Sequence, residues 1–331
     1  MKPKTALEAE YTSTLHRVGV SAARPVHVGS WAGDLGEERT DLYPGDTGYP
    51  GWHYGSTVSL YKQDNRPHDH AHFEICIFRQ GFAEHRTNFS TEKLGAGTVV
   101  VMAPGMVHAI DSSPDLHQTN LYYLTEWLAD DLMSHWKEAA FVPLFLAAVL
   151  FRRTHAGPIP QFTLNSDEFT DLDHELANIT RESSQGHESL IYLRSCLLKI
   201  LVLLSRAAVR ESPVELGLQF RKEVVEGLEH IEATILRRAP FRVAELARVL
   251  GLSPASLAQQ FQKSTGWGPM AYYQHRRVQH ACRLLLDFEK SITSIAYELG
   301  YCDSAHFTHL FKKHQGSVPS EYRRLYAKTR E

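Results

Sequence analysis

The last hundred residues contain one pattern written twice. Residues 243–263 read VAELARVLGLSPASLAQQFQK and residues 292–313 read ITSIAYELGYCDSAHFTHLFKK. Each copy sets apolar residues at helical spacing, then a glycine, a capping residue and a second apolar run at helical spacing. In the first copy Leu246, Ala247 and Leu250 make one apolar face, and Ala247 is small enough for a crossing helix to approach. Gly251 suits the positive φ that ends a helix. Ser253 is a good N-cap, and Pro254 fits a first turn that needs no backbone donor. Leu257 and Phe261, four apart, point inward. The second copy repeats this with Ile295, Ala296, Leu299, Gly300, the cap Asp303, and Phe307 with Phe311. Its turn is one residue longer: Leu257 lies ten residues after Ala247, and Phe307 eleven after Ala296.

Such a helix-turn-helix unit lays its second helix in the major groove and offers the N-terminal half to base edges. The outward residues are therefore candidate DNA contacts. In the first copy they are Ala255, Ser256, Ala258, Gln259, Gln262 and Lys263. In the second they are Ser304, Ala305, Thr308, His309 and Lys312. Gln259 can pair with adenine, and His309 and Thr308 can reach base edges; Ala255 and Ala258 offer only methyl contacts. One copy alone would read equally well as an ordinary helical hairpin. Between the copies lie Gly266, Tyr272, Arg277, Ala281, Leu284 and Leu285 on a linking helix (about 269–288), and residues 316–323 read GSVPSEYR. With these residues the stretch from about 220 to 326 resembles the DNA-binding domain of the AraC/XylS family of bacterial transcription regulators. The resemblance implies a double-stranded DNA partner, a small-molecule effector, a homodimer, and RNA polymerase as a partner for an activator.

Charge is divided along the chain. Residues 241–331 hold 13 Lys and Arg against 7 Asp and Glu, and the remainder holds 22 against 31. A basic end beside an acidic one fits phosphate binding at one end only. Cys76, Cys196, Cys282 and Cys302 have no paired spacing, which points to reduced thiols and a cytoplasmic protein. The first residues lack an apolar core, so no signal peptide is expected. The run from Phe141 to Phe151 is too short to span a bilayer and, with Pro143, reads as a buried helix; no membrane partner is expected.

Residues 1–55 read as an irregular, Gly- and Pro-rich arm. Strand-like runs follow at Thr57–Lys62, Glu74–Arg79, Glu84–Phe89, Thr98–Ala103 and Asn120–Leu124, which suggests a small β-barrel over 56–125. Alternate strand residues share a face, so His68, His70, His72 and Glu74 are expected to point together into that barrel. The run from His68 to Glu74, followed by Gly81 and later by Pro104, Gly105 and His108, is similar to the cupin pattern, whose histidines and glutamate hold a divalent metal. It departs in its second half: Pro104 and Gly105 are adjacent, and no Asn follows His108. Three readings stand for His68, His70, His72, Glu74 and His108. They can hold a metal, line an effector pocket, or be polar residues at a barrel mouth. The effector pocket is the expectation, with Trp52 or Phe73 covering an apolar ligand face and no metal or cofactor required. Residues 115–123 resemble regulators of sugar catabolism such as those for rhamnose, which makes a sugar the candidate effector.

Residues 126–210 read as a helical connector and dimerisation region. Trp127, Leu128, Leu132 and Trp136 share one face, and Asp167–Ile179 forms an amphipathic stretch. Apolar residues at 190, 193, 197, 200, 201 and 204 form a near-heptad seam, either a dimer contact or a face packed on the chain's own core. Ser205–Gly217, with Pro213, is expected to be a hinge. The expected fold is α+β: an N-terminal cupin-like β-barrel with helices, and an all-α domain over 218–331 with two helix-turn-helix motifs. The expected function is sequence-specific transcription regulation controlled by a small molecule. The alternatives are a metal-dependent cupin enzyme with a DNA-binding tail, which would turn its ligand over, and a constitutive DNA-binding protein with a structural barrel.

Overall fold

The computed structural model describes residues 15–16, 26–32, 57–58, 67, 69–70, 72–123, 128, 138, 140–151, 159–183, 189–211 and 221–327. Its N-terminal part is built on strands β1 (Leu15–His16), β2 (Val26–Ala32), β3 (Thr57–Val58), β4 (Asp69–His70), β5 (Phe73–Gln80), β6 (Phe82–Thr87), β7 (Thr91–Gly95), β8 (Thr98–Met102), β9 (His108–Ser112), β10 (His117–Tyr123) and β11 (Gln161–Thr163). Six of them form one sheet in the order β11-β8-β5-β10-β2-β3, antiparallel except at the β2–β3 edge. Three form a second antiparallel sheet, β7-β6-β9, while β1 and β4 pair in parallel. The expected cupin-like barrel thus takes the form of two sheets that do not close on each other. β11 joins the large sheet from within the region read as a helical connector.

The pleat of the large sheet separates two environments. Ile75 and Ile77 on β5, flanked by Val101 and Val99 on β8 and by Leu121 on β10, form an apolar face, with Thr119 opposite Ile77. Helices α1 (Phe141–Phe145), α2 (Ala147–Leu150), α3 (Ser166–Ser183) and α4 (Leu190–Glu211) contribute to the same core. Arg79 marks this face at its edge: its Nε donates to Thr119 Oγ1 at 2.6 Å, and its terminal nitrogens reach the Asp173 carboxylate of α3. The predicted helix over 141–151 is present as two short pieces broken at Leu146, whose φ is −132°. Pro143 is tolerated because it sits in the first turn of α1.

Two expectations bear on α4. Leu193, Leu197, Ile200, Leu201 and Leu204 are all buried in the chain's own core, the second of the two readings of the seam, while Leu190 at its head is exposed. The helix also continues through Glu211, so the first part of the expected hinge is helical. Ala207 and Ala208 are buried good helix formers, and the Ser205 hydroxyl donates to the Leu201 carbonyl instead of competing for the backbone. Trp127, Leu132, Trp136 and residues 212–220 lie outside the described residues.

The C-terminal part is all α: α5 (Lys222–Leu236), α6 (Val243–Val249), α7 (Pro254–Thr265), α8 (Pro269–Leu285), α9 (Ile292–Glu298), α10 (Ser304–Gln315) and α11 (Pro319–Ala327). The two repeats are α6–α7 and α9–α10, joined by α8. Gly251 and Gly300 take φ of +66° and +74° at the two turns, where a side chain would be strained. Leu246, Ala247, Leu257 and Phe261 are buried in one unit, and Ile295, Ala296, Phe307 and Phe311 in the other. Among the described residues no helix is long and apolar enough to cross a membrane.

Candidate effector and nucleic-acid interfaces

The second face of the large sheet is polar although it is buried. Glu74 and Cys76 on β5 lie opposite Tyr122 and Asn120 on β10, and Gln118 follows two residues from Asn120 on the same side. Asn120 Nδ2 donates to Glu74 Oε1 at 2.8 Å and to Tyr122 Oη at 2.8 Å. Gln118 Nε2 donates to Asn120 Oδ1 at 3.2 Å. The Tyr122 ring meets His72 edge-on, with centroids 5.3 Å apart. The small sheet supplies two imidazoles: His108 Nε2 is 3.9 Å from Glu74 Oε2, and the His85 ring is 5.6 Å from that of His108. His108 Nδ1 lies 3.3 Å from the Met106 carbonyl, which can only accept, so that nitrogen carries the proton. Burial, with the charge and hydrogen bond of Glu74, pushes the Cys76 thiol well up, so it stays a neutral donor.

His72, Glu74 and His108 are therefore brought together as the sequence predicts. Trp52 and His68 lie outside the described residues, and His70 is placed only by its backbone, on β4. The chain bends at His72, between β4 and β5, so the run from His68 to Glu74 is not one continuous strand. His85, Gln118, Asn120 and Tyr122 are members that sequence reasoning missed. The alternation of Gln118, Asn120 and Tyr122 was visible, but the register that sets them opposite Glu74 was not. Among the described residues no three His, Cys, Asp or Glu side chains are grouped to hold a metal ion. His72 packs on Tyr122, and His108 approaches Glu74.

The nucleic-acid interface is built on two capped helices. Ser253 Oγ accepts from Ser256 N at 3.2 Å, and Asp303 Oδ1 accepts from His306 N at 2.6 Å. That bond holds the Asp303 carboxyl below the usual range. Each cap satisfies a first-turn N–H that has no partner in its own helix. On α7, Ala255, Gln259, Gln262 and Lys263 are exposed, and Ser256 and Ala258 are half-buried. On α10, Ala305, His309 and Lys312 are exposed, and Ser304 and Thr308 are half-buried. Two side chains are turned back on their own helices: Gln262 Nε2 donates to the Gly266 carbonyl, and the Thr308 hydroxyl to the Ser304 carbonyl. His306 and Lys313 are also exposed, at the positions of Ser256 and Lys263 in the first copy. The repeat's own register could have found both.

The linking helix braces both units. Arg277 donates from Nε and Nη2 to the Leu299 carbonyl, at 3.1 and 2.7 Å, and its guanidinium lies 3.7 Å from the Tyr301 ring centroid. Arg276 is buried against Glu232 of α5, with contacts of 2.5 and 3.1 Å, and His280 adds a third at 3.3 Å. Burial alone would raise the Glu232 carboxyl. The Arg276 charge and the hydrogen bonds from His280 and Arg276 outweigh it and hold the group at about 2.

Comparison with known proteins agrees with both halves. Residues 52–161 match the AraC-like ligand binding domain, and residues 246–325 match a helix-turn-helix domain. Relatives include the transcriptional activator RhaS of Klebsiella pneumoniae, 25% identical over 77% of this chain and 86% of the relative. The transcriptional activator RhaR of Mannheimia succiniciproducens is 24% identical over 82% of this chain and 94% of the relative. The arabinose operon regulatory protein of Escherichia coli is 25% identical over 69% of this chain and 72% of the relative. Among solved structures, ToxT of Vibrio cholerae covers 76% of this chain and 90% of its own, at 13% identity and a TM-score of 0.38. With a ligand-binding domain ahead of a double helix-turn-helix domain, matched over more than half its length, the chain belongs to the AraC/XylS family of DNA-binding transcription regulators.

Proposed function

We propose that the buried polar layer between the two sheets binds an uncharged, hydroxyl-rich small molecule, a sugar, and that this binding sets the affinity of the chain for its operator. His72, Glu74, His108, Gln118, Asn120 and Tyr122 are the recognising residues, with His68, His70 and Trp52 completing the lining. The observation that carries the reading is the Glu74–Asn120–Tyr122 chain of hydrogen bonds, held out of water. Such groups match the hydroxyls of one ligand and reject an analogue that leaves one of them unpaired. Among the described residues the only buried guanidinium groups, Arg276 and Arg277, lie in the C-terminal part. Arabinose operon regulatory proteins among the relatives support a sugar over other polyols.

The exposed faces of α7 and α10 read the DNA. Ala255, Ser256, Ala258, Gln259, Ser304, Ala305, Thr308 and His309, joined by His306, face the bases. Gln262, Lys263, Lys312 and Lys313 serve the phosphates. The chain works in the cytoplasm by binding and not by turnover. It pairs with a second copy, for which Leu190, Ile191 and Tyr192 at the exposed head of α4 offer apolar surface, and it meets RNA polymerase where it activates. The test is calorimetric titration of the full chain with single pentoses and hexoses, followed by recovery of the ligand. Glu74→Gln should weaken binding of the sugar that the wild type takes by about tenfold or more. Unchanged affinity in a folded Glu74→Gln variant removes the site from this layer, and a chemically altered ligand establishes an enzyme.

A further inference from the structure

Among the described residues, the two halves meet at α2 and the linking helix in a contact whose chemistry is asymmetric. The carbonyl of Val149, in the last turn of α2, lacks an acceptor role inside so short a helix. It accepts two hydrogen bonds from the linking helix instead: His275 Nε2 at 2.8 Å and Gln279 Nε2 at 2.7 Å. Two residues on, Phe151 stacks on Tyr272 of the linking helix, with centroids 6.4 Å apart. The DNA-binding domain thus supplies the C-cap of a sensor helix.

His275 reaches further. Its ring stacks on Trp267, in the turn that follows α7, at 5.0 Å. It also lies 6.1 Å from His314, in the last turn of α10. One imidazole therefore touches the sensor, the tail of the first DNA-facing helix and the tail of the second. Tyr122 connects the contact to the polar layer. Its hydroxyl accepts from Asn120, while its ring belongs to the apolar cluster of the C-terminal domain, with Val278, Ala281, Cys282 and Leu285 of α8. The docked contact leaves Gln259, His309 and Lys312 exposed, so it does not mask the DNA-facing surface.

We propose that His275 and Gln279, closed on the Val149 carbonyl, form a latch through which the sensor sets the relative pose of α7 and α10, with Tyr122 as the positioning residue that links the latch to the effector layer. The role of Tyr122 rests on the effector reading above; the latch itself does not. A ligand that draws on Asn120 competes for the donor now given to Tyr122 and shifts its ring against α8. The state of the latch then changes the fit of two helices to one duplex, which is a shift between two arrangements and needs no new contact with DNA.

The test uses the full chain and a duplex selected by the wild type from a random pool. His275→Leu and Gln279→Leu each remove one hydrogen bond and keep bulk. Amide exchange at residues 147–151 should quicken by about tenfold in each, the size expected for one lost bond to a partly buried carbonyl. Exchange in β5 and β10 should stay unchanged, as a check of folding. Affinity for the selected duplex should move at least about threefold while affinity for random duplex stays fixed, because pose and not charge is altered. Folded variants with wild-type exchange and wild-type selectivity overturn the latch. In a second arm, Tyr122→Phe keeps the ring and loses the hydroxyl. The sugar identified by calorimetry should bind this variant more weakly and, even at saturation, should no longer change its duplex affinity. An undiminished sugar response in Tyr122→Phe removes Tyr122 from the proposal. If no sugar moves the wild type, the effector reading fails, and the ligand-free arm still decides the latch.

Discussion

Removing Arg276 should cost far more than removing Arg276 and Glu232 together. Both residues are 2% exposed, so the pair is cut off from water. In Arg276→Met the Glu232 carboxylate stays buried with His280 as its remaining charged-capable partner. Breaking a buried pair at one end costs about 3–5 kcal/mol. The carboxyl itself gives a second measure of the size. It is held at about 2 against an ordinary 4.5 even after burial has pushed it the other way. A displacement of that size corresponds to about 3 kcal/mol of net interaction. Because this folded value is depressed, the pair contributes fully above pH 4.5, and its contribution is lost as pH falls toward 2. The double variant Arg276→Met with Glu232→Leu removes both charges and both desolvation costs, and should lie within about 1–2 kcal/mol of the wild type. The chain has two parts and a single unfolding midpoint is ill defined, so the measurement is amide exchange in urea over residues 222–236 and 269–285. A single variant within about 1 kcal/mol of the wild type, or a double variant as unstable as the single one, would refute the reasoning.

Other outcomes follow from the same geometry. Burial first, then the charges of Arg276 and His314, hold the His275 imidazole down at about 4 against the opposing pull of the Val149 carbonyl and Glu232. An opened state with an ordinary imidazole takes up its proton first, so docking is full above pH 6.5 and weakens toward pH 4 by up to about 3 kcal/mol. Exchange at residues 147–151 should follow that window in the wild type and be flat across it in His275→Leu. Asp303→Ala and Ser253→Ala each remove one N-cap and should cost about 1 kcal/mol; equal exchange at the first turns of α10 and α7 would speak against this. Gln259→Ala or His309→Ala should relax preference at one base position by about 1–3 kcal/mol, whereas Lys312→Ala should weaken all sequences alike and lower the salt slope by about one. Binding to a panel of single-base variants separates the two, and an equal loss on selected and random duplex would take Gln259 out of the reading role.

The helical half was legible because its information is local. Glycines, caps and the four-residue spacing of Leu257 with Phe261 all act within a turn or two, and the structure uses each of them. The sheet half was less so. Glu74 and His72 were readable as neighbours, but their true partners, Asn120 and Tyr122, lie more than forty residues away and are chosen by strand register. His85 reaches the layer from a different sheet, a relation that no short stretch records. The short strands Thr91–Gly95 and Gln161–Thr163 carry weak alternation and are defined by the strands they join. The seam of α4 was readable as apolar but left between two readings, because periodicity says which face is buried and not what buries it.

The two DNA-facing helices are unlike. One offers Ala255, Ala258 and Gln259 where the other offers Ala305, Thr308 and His309, and Arg277 fixes the second unit to the strut they share. If both helices read base edges, a single chain would meet two different short words in a set order, and its site would have a left and a right. A chain bound this way would point along the duplex like an arrow, and turning its site around would turn the sensor to face the opposite direction of transcription.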